Sequence, residues 1–461
     1  MGQSHRIEHD LLGEQSVPSE SYWGIHTERA LDNFSFSLYR MPFSLIRAIV
    51  LVKKACCLTN KELAFLEPDK AMALEQACDD ILEGRFEREF PIDALQGGAG
   101  TSANMNVNEV LANRAQEILG FPKGDYTHIH PIEHVNLHQS TNDVYPTALK
   151  IAAIQGVRDL SQAIAGVQGA FQRKEKAFAE IVTMGRTELQ QAVPITLGGQ
   201  FASFAEAIAR DRWRTFKCEE RLRVVNIGGT AVGTGLTAPR EYIFLVIERL
   251  RDLSGIGLSR GEHVMDQTAN ADSFVEVSGM LAAHGANVIK ICRDLRLLHF
   301  LNEISLPACQ AGSSIMPGKI NPVILEAAMT IGMKVQANDL LVTQAASQGT
   351  LQINEFLPLI AFSLLESIEL LTTLNTRLEQ HIEGIEARPE VCRKTVEDSP
   401  LTITAFLPHI GYEAAEQLLQ EFAASPENVS FYRFLTQKLG SELVEQVLSP
   451  HSLMALGYRI R

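Results

Sequence analysis

The chain has 461 residues, 46% of them hydrophobic, and a formal net charge of -14. That length and apolar share support a large core and more than one domain. The acidic balance argues against nucleic acid as the main partner, and no run of about 18 apolar residues marks a membrane span.

The first residues, Met1 to Arg6, lack the apolar stretch of a secretory signal. Gly2 is not followed by a hydroxyl at position six, as myristoylation requires. Seven cysteines are scattered at Cys56, Cys57, Cys78, Cys218, Cys292, Cys309 and Cys392, with no CxxC pair. Zinc ribbons and redox dithiols are therefore not expected. An odd cysteine count without a signal peptide fits a reducing cytoplasm, the expected location.

Along the chain, Gly97-Gly98-Ala99-Gly100 is the first glycine-rich stretch. No proline lies between Pro146 and Pro194, between Pro194 and Pro239, or between Pro239 and Pro307. Such intervals permit very long helices. Ile151, Ile154, Val157, Leu160, Ile164, Val167 and Phe171 recur in steps of three and four, a helical stripe. A second glycine-rich stretch, Gly228 to Gly235, follows. Neither glycine run follows a clear strand in a βαβ unit, so close backbone approach explains them better than nucleotide binding. Ala271 to Leu301, Val323 to Ala345 and Pro358 to Ile385 repeat the helical pattern. Helices of about 30 residues are about 45 Å long. Their stripes suit an oligomer better than a monomeric bundle.

Gly312-Ser313-Ser314-Ile315-Met316-Pro317-Gly318-Lys319-Ile320-Asn321-Pro322 is the most informative segment. Its glycines and prolines keep it out of regular structure. It sets two hydroxyls, a cation and an amide in one loop. Three further segments are dense in uncharged donors. They run from Gly100-Thr101-Ser102 to Glu109, from His134 through Ser140-Thr141-Asn142 to Asp143, and from Met184 through Thr187-Glu188 to Gln190. Donors of this kind can surround a developing anion. Taken singly, such residues are more often helix caps.

These four ordered segments resemble the signature blocks of the aspartase/fumarase superfamily. Asp10-Leu11-Leu12-Gly13-Glu14 and Tyr22-Trp23-Gly24-Ile25-His26-Thr27 look like aspartase as well. The resemblance implies a mainly α, three-domain fold with a central long-helix bundle. Its expected boundaries are 1–140, 141–390 and 391–461. It also implies a homotetramer with a 20-helix core and active sites shared among three subunits. The implied reaction is an anti elimination of an amine from a small 2-ammonio acid, without cofactor or metal. Carried over by position, Ser313 is the base. Thr101, Ser140, Thr141 and Ser314 hold the group made anionic. Lys319 and Asn321 hold the α-carboxylate, and Asn142, Thr187 and Glu188 face the leaving group. His134, His138 and Asp143 are expected to support the site, not to perform the chemistry.

The chain departs from this pattern at three places. Glu188 stands where most relatives have Gln or His. Gln190-Gln191-Ala192 and Gly198-Gly199-Gln200-Phe201 replace the usual Gln-Asp-Ala and Gly-Gln-Glu-Phe. The stretch Leu298-His299-Phe300-Leu301-Asn302-Glu303 is about five residues shorter than the loop it resembles. Ergothionase-like lyases, which expel trimethylamine from ergothioneine, use a Lys-x-x-Glu pair on the thioimidazole; Lys394 and Glu397 match it here. A carboxylate at Glu188 suits a permanent cation. Ergothionase is therefore the first expectation for the substrate, aspartate ammonia-lyase the second, and fumarate hydration the third. The rival from another class is a catalytically silent crystallin-like protein. Intact Ser313, Lys319 and Asn321 argue against it.

Overall fold

The computed structural model describes residues 4–425 and 429–458. Residues 1–3, part of the stretch read above for targeting signals, lie outside the described residues. The chain opens with an antiparallel hairpin, β1 (His5–Asp10) and β2 (Gly13–Pro18), followed by α1 (Ile25–Asn33), α2 (Phe43–Glu62), α3 (Pro68–Leu82) and α4 (Thr101–Ile118). Next come the 37-residue α5 (Thr141–Ala177), the antiparallel pair β3 (Val182–Thr187) and β4 (Gln190–Thr196), and α6 (Leu197–Leu222). The two-residue β5 (Val224–Val225) and β6 (Ser259–Arg260) pair in parallel around α7 (Arg240–Ser254). Then follow α8 (Val264–Ala269), α9 (Asp272–Phe300), β7 (Ile304–Ser305), α10 (Val323–Ala346) and α11 (Leu357–Glu383). β8 (Glu386–Ala387) pairs with β7, and α12 (Pro389–Asp398) leads into short C-terminal helices. The protein is mainly α.

The four helices expected from periodicity are α5, α9, α10 and α11. The α5 stripe from Ile151 to Phe171 is fully buried. Each such aliphatic side chain contributes roughly 1.5–3 kcal/mol by leaving water. α11 is long and apolar enough by composition to cross a bilayer, but Ile360, Leu364, Leu371, Leu374 and Leu378 are buried within the protein.

The chain divides into two compact units. The first comprises Met1–Ser161, Arg214–Ala283 and Lys334–Leu371. Here Glu109 of α4, fully buried, accepts from the backbone N–H groups of Gly24 (2.9 Å), His26 (2.8 Å) and Thr27 (3.1 Å) and from the Thr27 hydroxyl (2.6 Å). Its carboxylate thus satisfies the free donors at the start of α1. A Cβ on Gly24 would meet the Tyr126 hydroxyl at 2.4 Å, so this tie requires glycine. The second glycine run behaves as expected: a Cβ on Gly233 would lie 2.4 Å from Met265 Cα.

The second unit comprises Gln162–Trp213, His284–Met333 and Thr372–Arg461. Its C-terminal helices close over an apolar cluster that includes Met184, Val396, Phe406, Phe431, Phe434 and Leu435. Asp211 and His284 form a buried hydrogen bond at 2.9 Å, braced by Asn287 and Asn375.

All seven cysteines are free, and only Cys309 is exposed. Burial pushes the thiols of Cys56, Cys57, Cys218 and Cys292 up to about 12 and that of Cys392 up to about 11. The thiolate is the reactive form. A thiol reagent at neutral pH should therefore titrate one cysteine per native chain and seven after denaturation. Rapid reaction of several native thiols would contradict this packing.

Candidate active site

The expected site residues fall into four local groups. In the first unit, the Gly97–Gly100 turn delivers Thr101 to the first position of α4. Ala99 and Gly100 are left-handed (φ 55 and 89), and a Cβ on Gly100 would lie 2.5 Å from the Tyr145 ring. Ser140 caps α5. Its Oγ accepts from Asn142 N (3.2 Å), and Asp143 Oδ1 accepts from Ser140 N (3.0 Å). This is a reciprocal capping arrangement, so Ser140 performs the bland role as well as lying in the donor cluster. Asn142 Nδ2 donates to Ala231 O (2.7 Å). Ser140, Thr141 and Asn142 thus gather at one helix N-terminus, the end of a helix that favours an anion.

Behind that cluster lies a buried polar network that the sequence motifs did not flag as a unit. Asp143 accepts from Gly228 N (3.1 Å) and Thr230 N (2.9 Å) in addition to Ser140 N. Burial raises its carboxyl to about 7. Lys53 of α2 is buried and donates to Asn136 Oδ1 (2.7 Å) and Gln139 Oε1 (2.9 Å). Burial draws its ammonium down to about 7, against the pull of Asp143. Asn104 of α4 donates from Nδ2 to Thr141 Oγ1 (3.0 Å) and to Asn136 Oδ1 (3.3 Å). The one sequence signal for Lys53 is a lysine at a buried phase of an apolar helix, between Ile49 and Cys56.

His134 and His138 take supporting positions. His134 Nδ1 accepts from His130 N (2.8 Å), and its other nitrogen meets Lys70 Nζ (3.2 Å). His138 pairs with Asn60 Oδ1 (2.8 Å) and packs edge-on to Phe65 and Tyr242.

In the second unit, Glu188 and Leu189 form the two-residue tip of the β3–β4 hairpin, where Thr187 pairs with Gln190. Both tip residues are left-handed, φ 51 and 62. That is the geometry of a primed turn, which normally selects glycine or asparagine. Non-glycine residues held there carry backbone strain, a recurrent mark of functional sites. Arg186 anchors the hairpin through an ion pair to fully buried Glu303 (2.5 Å). Thr187 and Glu188 are exposed. Glu188 borders a cavity of ≈ 330 Å³ walled by Leu189, Ile195, Leu297, Leu298 and Leu301. Next to the hairpin, α9 runs to Phe300 and ends in a tight turn with Asn302 left-handed (φ 63).

The Ser313 loop is closed at its base by Gly312 N to Lys319 O (2.8 Å) and Asn321 Nδ2 to Gly312 O (2.7 Å). A Cβ on Gly312 would lie 2.7 Å from the backbone of both Lys319 and Asn321, so only glycine closes it. Ser313 Oγ accepts from two backbone amides, Ile315 N (3.2 Å) and Met316 N (2.9 Å). Donors in this arrangement stabilise an oxyanion at Ser313. Ser314 and Lys319 are exposed. Asn321 commits one amide hydrogen to the loop itself.

On α12, Lys394 lines a cavity of ≈ 510 Å³ with Gln191, Glu390, Thr395 and Asp398. Glu397 lies one turn from Arg393, at 3.6 Å, an ordinary i,i+4 pair.

A family profile described as a lyase matches residues 13–337. Aspartate ammonia-lyase of a Bacillus species is 41% identical over 454 residues, 97% of each chain. That of Corynebacterium glutamicum is 42% identical over 99% of this chain and 88% of its own. A solved fumarate lyase/delta crystallin from Brucella melitensis, bound to cobalt, superposes with a TM-score of 0.93 at 42% identity over 98% of this chain and 100% of its own. The class II fumarase of Schistosoma mansoni gives 0.90 at 28% identity over 97% of this chain and 98% of its own. The chain belongs to the aspartase/fumarase superfamily. It is a carbon–nitrogen lyase with the mainly α fold of that group.

Replacing Ser313 by alanine removes the only side-chain oxygen that Ile315 N and Met316 N share. If Ser313 takes the proton, turnover should fall by roughly 100- to 10,000-fold, the usual range for general base catalysis, with the thermal midpoint little changed. A variant that keeps a tenth of wild-type kcat would remove Ser313 from the chemistry.

Proposed function

We propose that the chain is an aspartate ammonia-lyase, converting aspartate to fumarate and ammonia. The observation that carries this reading is identity of 41–42% to aspartate ammonia-lyases along nearly the whole chain, with the Ser313–Asn321 segment intact. That similarity favours aspartate over ergothioneine, the reverse of the order expected from the sequence alone.

In this mechanism Ser313, as an alkoxide stabilised by the Ile315 and Met316 amides, takes a proton from the carbon next to the β-carboxylate. The electron pair moves into that carboxylate and makes it a dianion. Thr101, Ser140, Thr141 and Ser314 donate to its oxygens, which carry more charge in the transition state than in the substrate. Lys319 and Asn321 hold the α-carboxylate. The pair then returns to form the double bond as the carbon–nitrogen bond breaks on the opposite face. Asn142, Thr187 and Glu188 face the departing nitrogen. Met333, Leu340 and Leu341 of α10 are left exposed on one chain, an apolar face that suits a homotetramer whose sites draw on three subunits.

One observation favours a second reading. Glu188, at a strained hairpin tip beside a leucine-walled cavity, puts a carboxylate near an apolar surface, which suits a quaternary ammonium leaving group such as that of ergothioneine. Lys394 and Glu397 would then meet the thioimidazole.

The two readings separate on Glu188→Gln. Under the aspartate reading, the wild type produces fumarate, absorbing in the ultraviolet, and ignores ergothioneine. The variant keeps aspartate turnover within about tenfold, because an ammonium still donates to the amide carbonyl. Under the ergothioneine reading, the wild type makes the red-shifted thiourocanate. The variant then loses this activity steeply, because a trimethylammonium group donates nothing. Failure of the wild type to release fumarate from aspartate would end the proposed assignment.

A further inference from the structure

We propose that Lys53 is a positioning residue which, through Asn136 and Asn104, fixes the Thr141 hydroxyl as a donor to the anionic intermediate. The inference rests on the reading that Ser140, Thr141 and Asn142 receive that intermediate.

The argument follows the hydrogen bonds outward from Thr141. Asn104 Nδ2 donates to Thr141 Oγ1 at 3.0 Å. An accepted hydrogen bond occupies one lone-pair direction of that oxygen and leaves its own O–H to turn toward a ligand. Asn104 can play this role only if its amide is held in one orientation. Its Nδ2 is shared with Asn136 Oδ1 at 3.3 Å, and Asn108 Nδ2 reaches the same oxygen at 3.2 Å. Asn136 Oδ1 therefore gathers donors from three directions, of which the Lys53 ammonium is the nearest at 2.7 Å.

Lys53 also fixes the backbone that leads into the cluster. It holds Gln139 Oε1 at 2.9 Å, which turns Gln139 Nε2 toward Val135 O (3.0 Å) and Leu137 O (3.2 Å). Asn136 Nδ2 closes the same turn onto Gln139 O at 3.2 Å. This turn contains His138 in the left-handed region, φ 62. A strained non-glycine conformation persists only where its surroundings over-determine it. Ser140 is the next residue but one.

Lys53 and Asn104 are each 2% exposed, while Asn136 and Gln139 are half-buried. Lys53 is therefore not placed to touch substrate, and its effect is relayed. A buried lysine whose donors are aimed at two side-chain carbonyls has no evident packing purpose that an aliphatic residue would not serve at lower desolvation cost.

The test uses the full-length protein with four variants, Lys53→Met, Asn104→Leu, Thr141→Val and the Lys53→Met/Thr141→Val double, each measured for kcat, KM and thermal midpoint. A misplacement of this kind lowers kcat by roughly 100-fold. Lys53→Met and Asn104→Leu should each show that loss with KM changed by less than about threefold, since the hydroxyl acts mainly on the charge that develops in the transition state. The double variant should lose clearly less than the product of the two single losses, the non-additivity expected of residues sharing a path; the remaining loss reports the Gln139 turn that Lys53 also holds. A purely structural lysine would instead give multiplicative losses in the double variant, and that result overturns the proposal. So does Asn104→Leu with wild-type kcat, which decides the matter even if Lys53→Met does not fold. If Thr141→Val itself keeps wild-type kcat, the reading of the donor cluster fails first, and the positioning role fails with it.

Discussion

The start of α5 is held from two sides by buried groups of opposite charge, and the candidate donor cluster depends on that clamp. Asp143 takes three backbone N–H groups, from Ser140, Gly228 and Thr230. Lys53 takes the Asn136 and Gln139 carbonyls. Between them, the turn from Asn136 to Ser140 has little freedom, although it contains a left-handed histidine. Neither charge touches the outer surface. Each is shifted by burial toward neutrality, and each offsets part of the other's desolvation. The cluster can thus be built from neutral hydroxyls and amides, while the hydrogen bonds of Asp143 and Lys53 behind it set their orientation.

The second unit solves the same problem without a buried cation. The Ser313 loop is short, and its shape is closed by the Gly312 backbone N–H and the Asn321 side-chain amide. Two amides of that loop converge on Ser313 Oγ. The β3–β4 hairpin is anchored by Arg186 to the carboxylate of Glu303. That glutamate follows the end of α9, so the end of that helix is tied to where Glu188 sits.

Much of this was legible in the sequence. The long helices were, because proline-free intervals and buried stripes in steps of three and four leave few alternatives; α9, Asp272–Phe300, matches the expected span from Ala271 to Leu301 closely. The Ser313 loop was legible because its glycines and prolines exclude regular structure. The amides on Ser313 were anticipated only as a class of donor; which two donate depends on the backbone path. The β3–β4 hairpin was not read as strands, since Pro194 lies in β4 and its tip is Glu188-Leu189, not Asn-Gly. Lys53 was missed because a lone lysine in an apolar helix carries no motif, and its partners lie 83 and 86 residues away in the chain. Substrate choice was not legible: the carboxylate at Glu188 suits a permanent cation, while the nearly full-length similarity to aspartate ammonia-lyases favours aspartate.

The most direct test of the central claim, an anti elimination at aspartate with a serine base on one face and the leaving nitrogen on the other, is the stereochemistry of the reverse reaction. Fumarate and ammonia incubated with the enzyme in deuterium oxide should give aspartate carrying one deuterium at carbon 3. Proton coupling between carbons 2 and 3 should then report only the diastereomer formed by anti addition. A mixture of diastereomers, the syn product, or no aspartate at all would contradict the account.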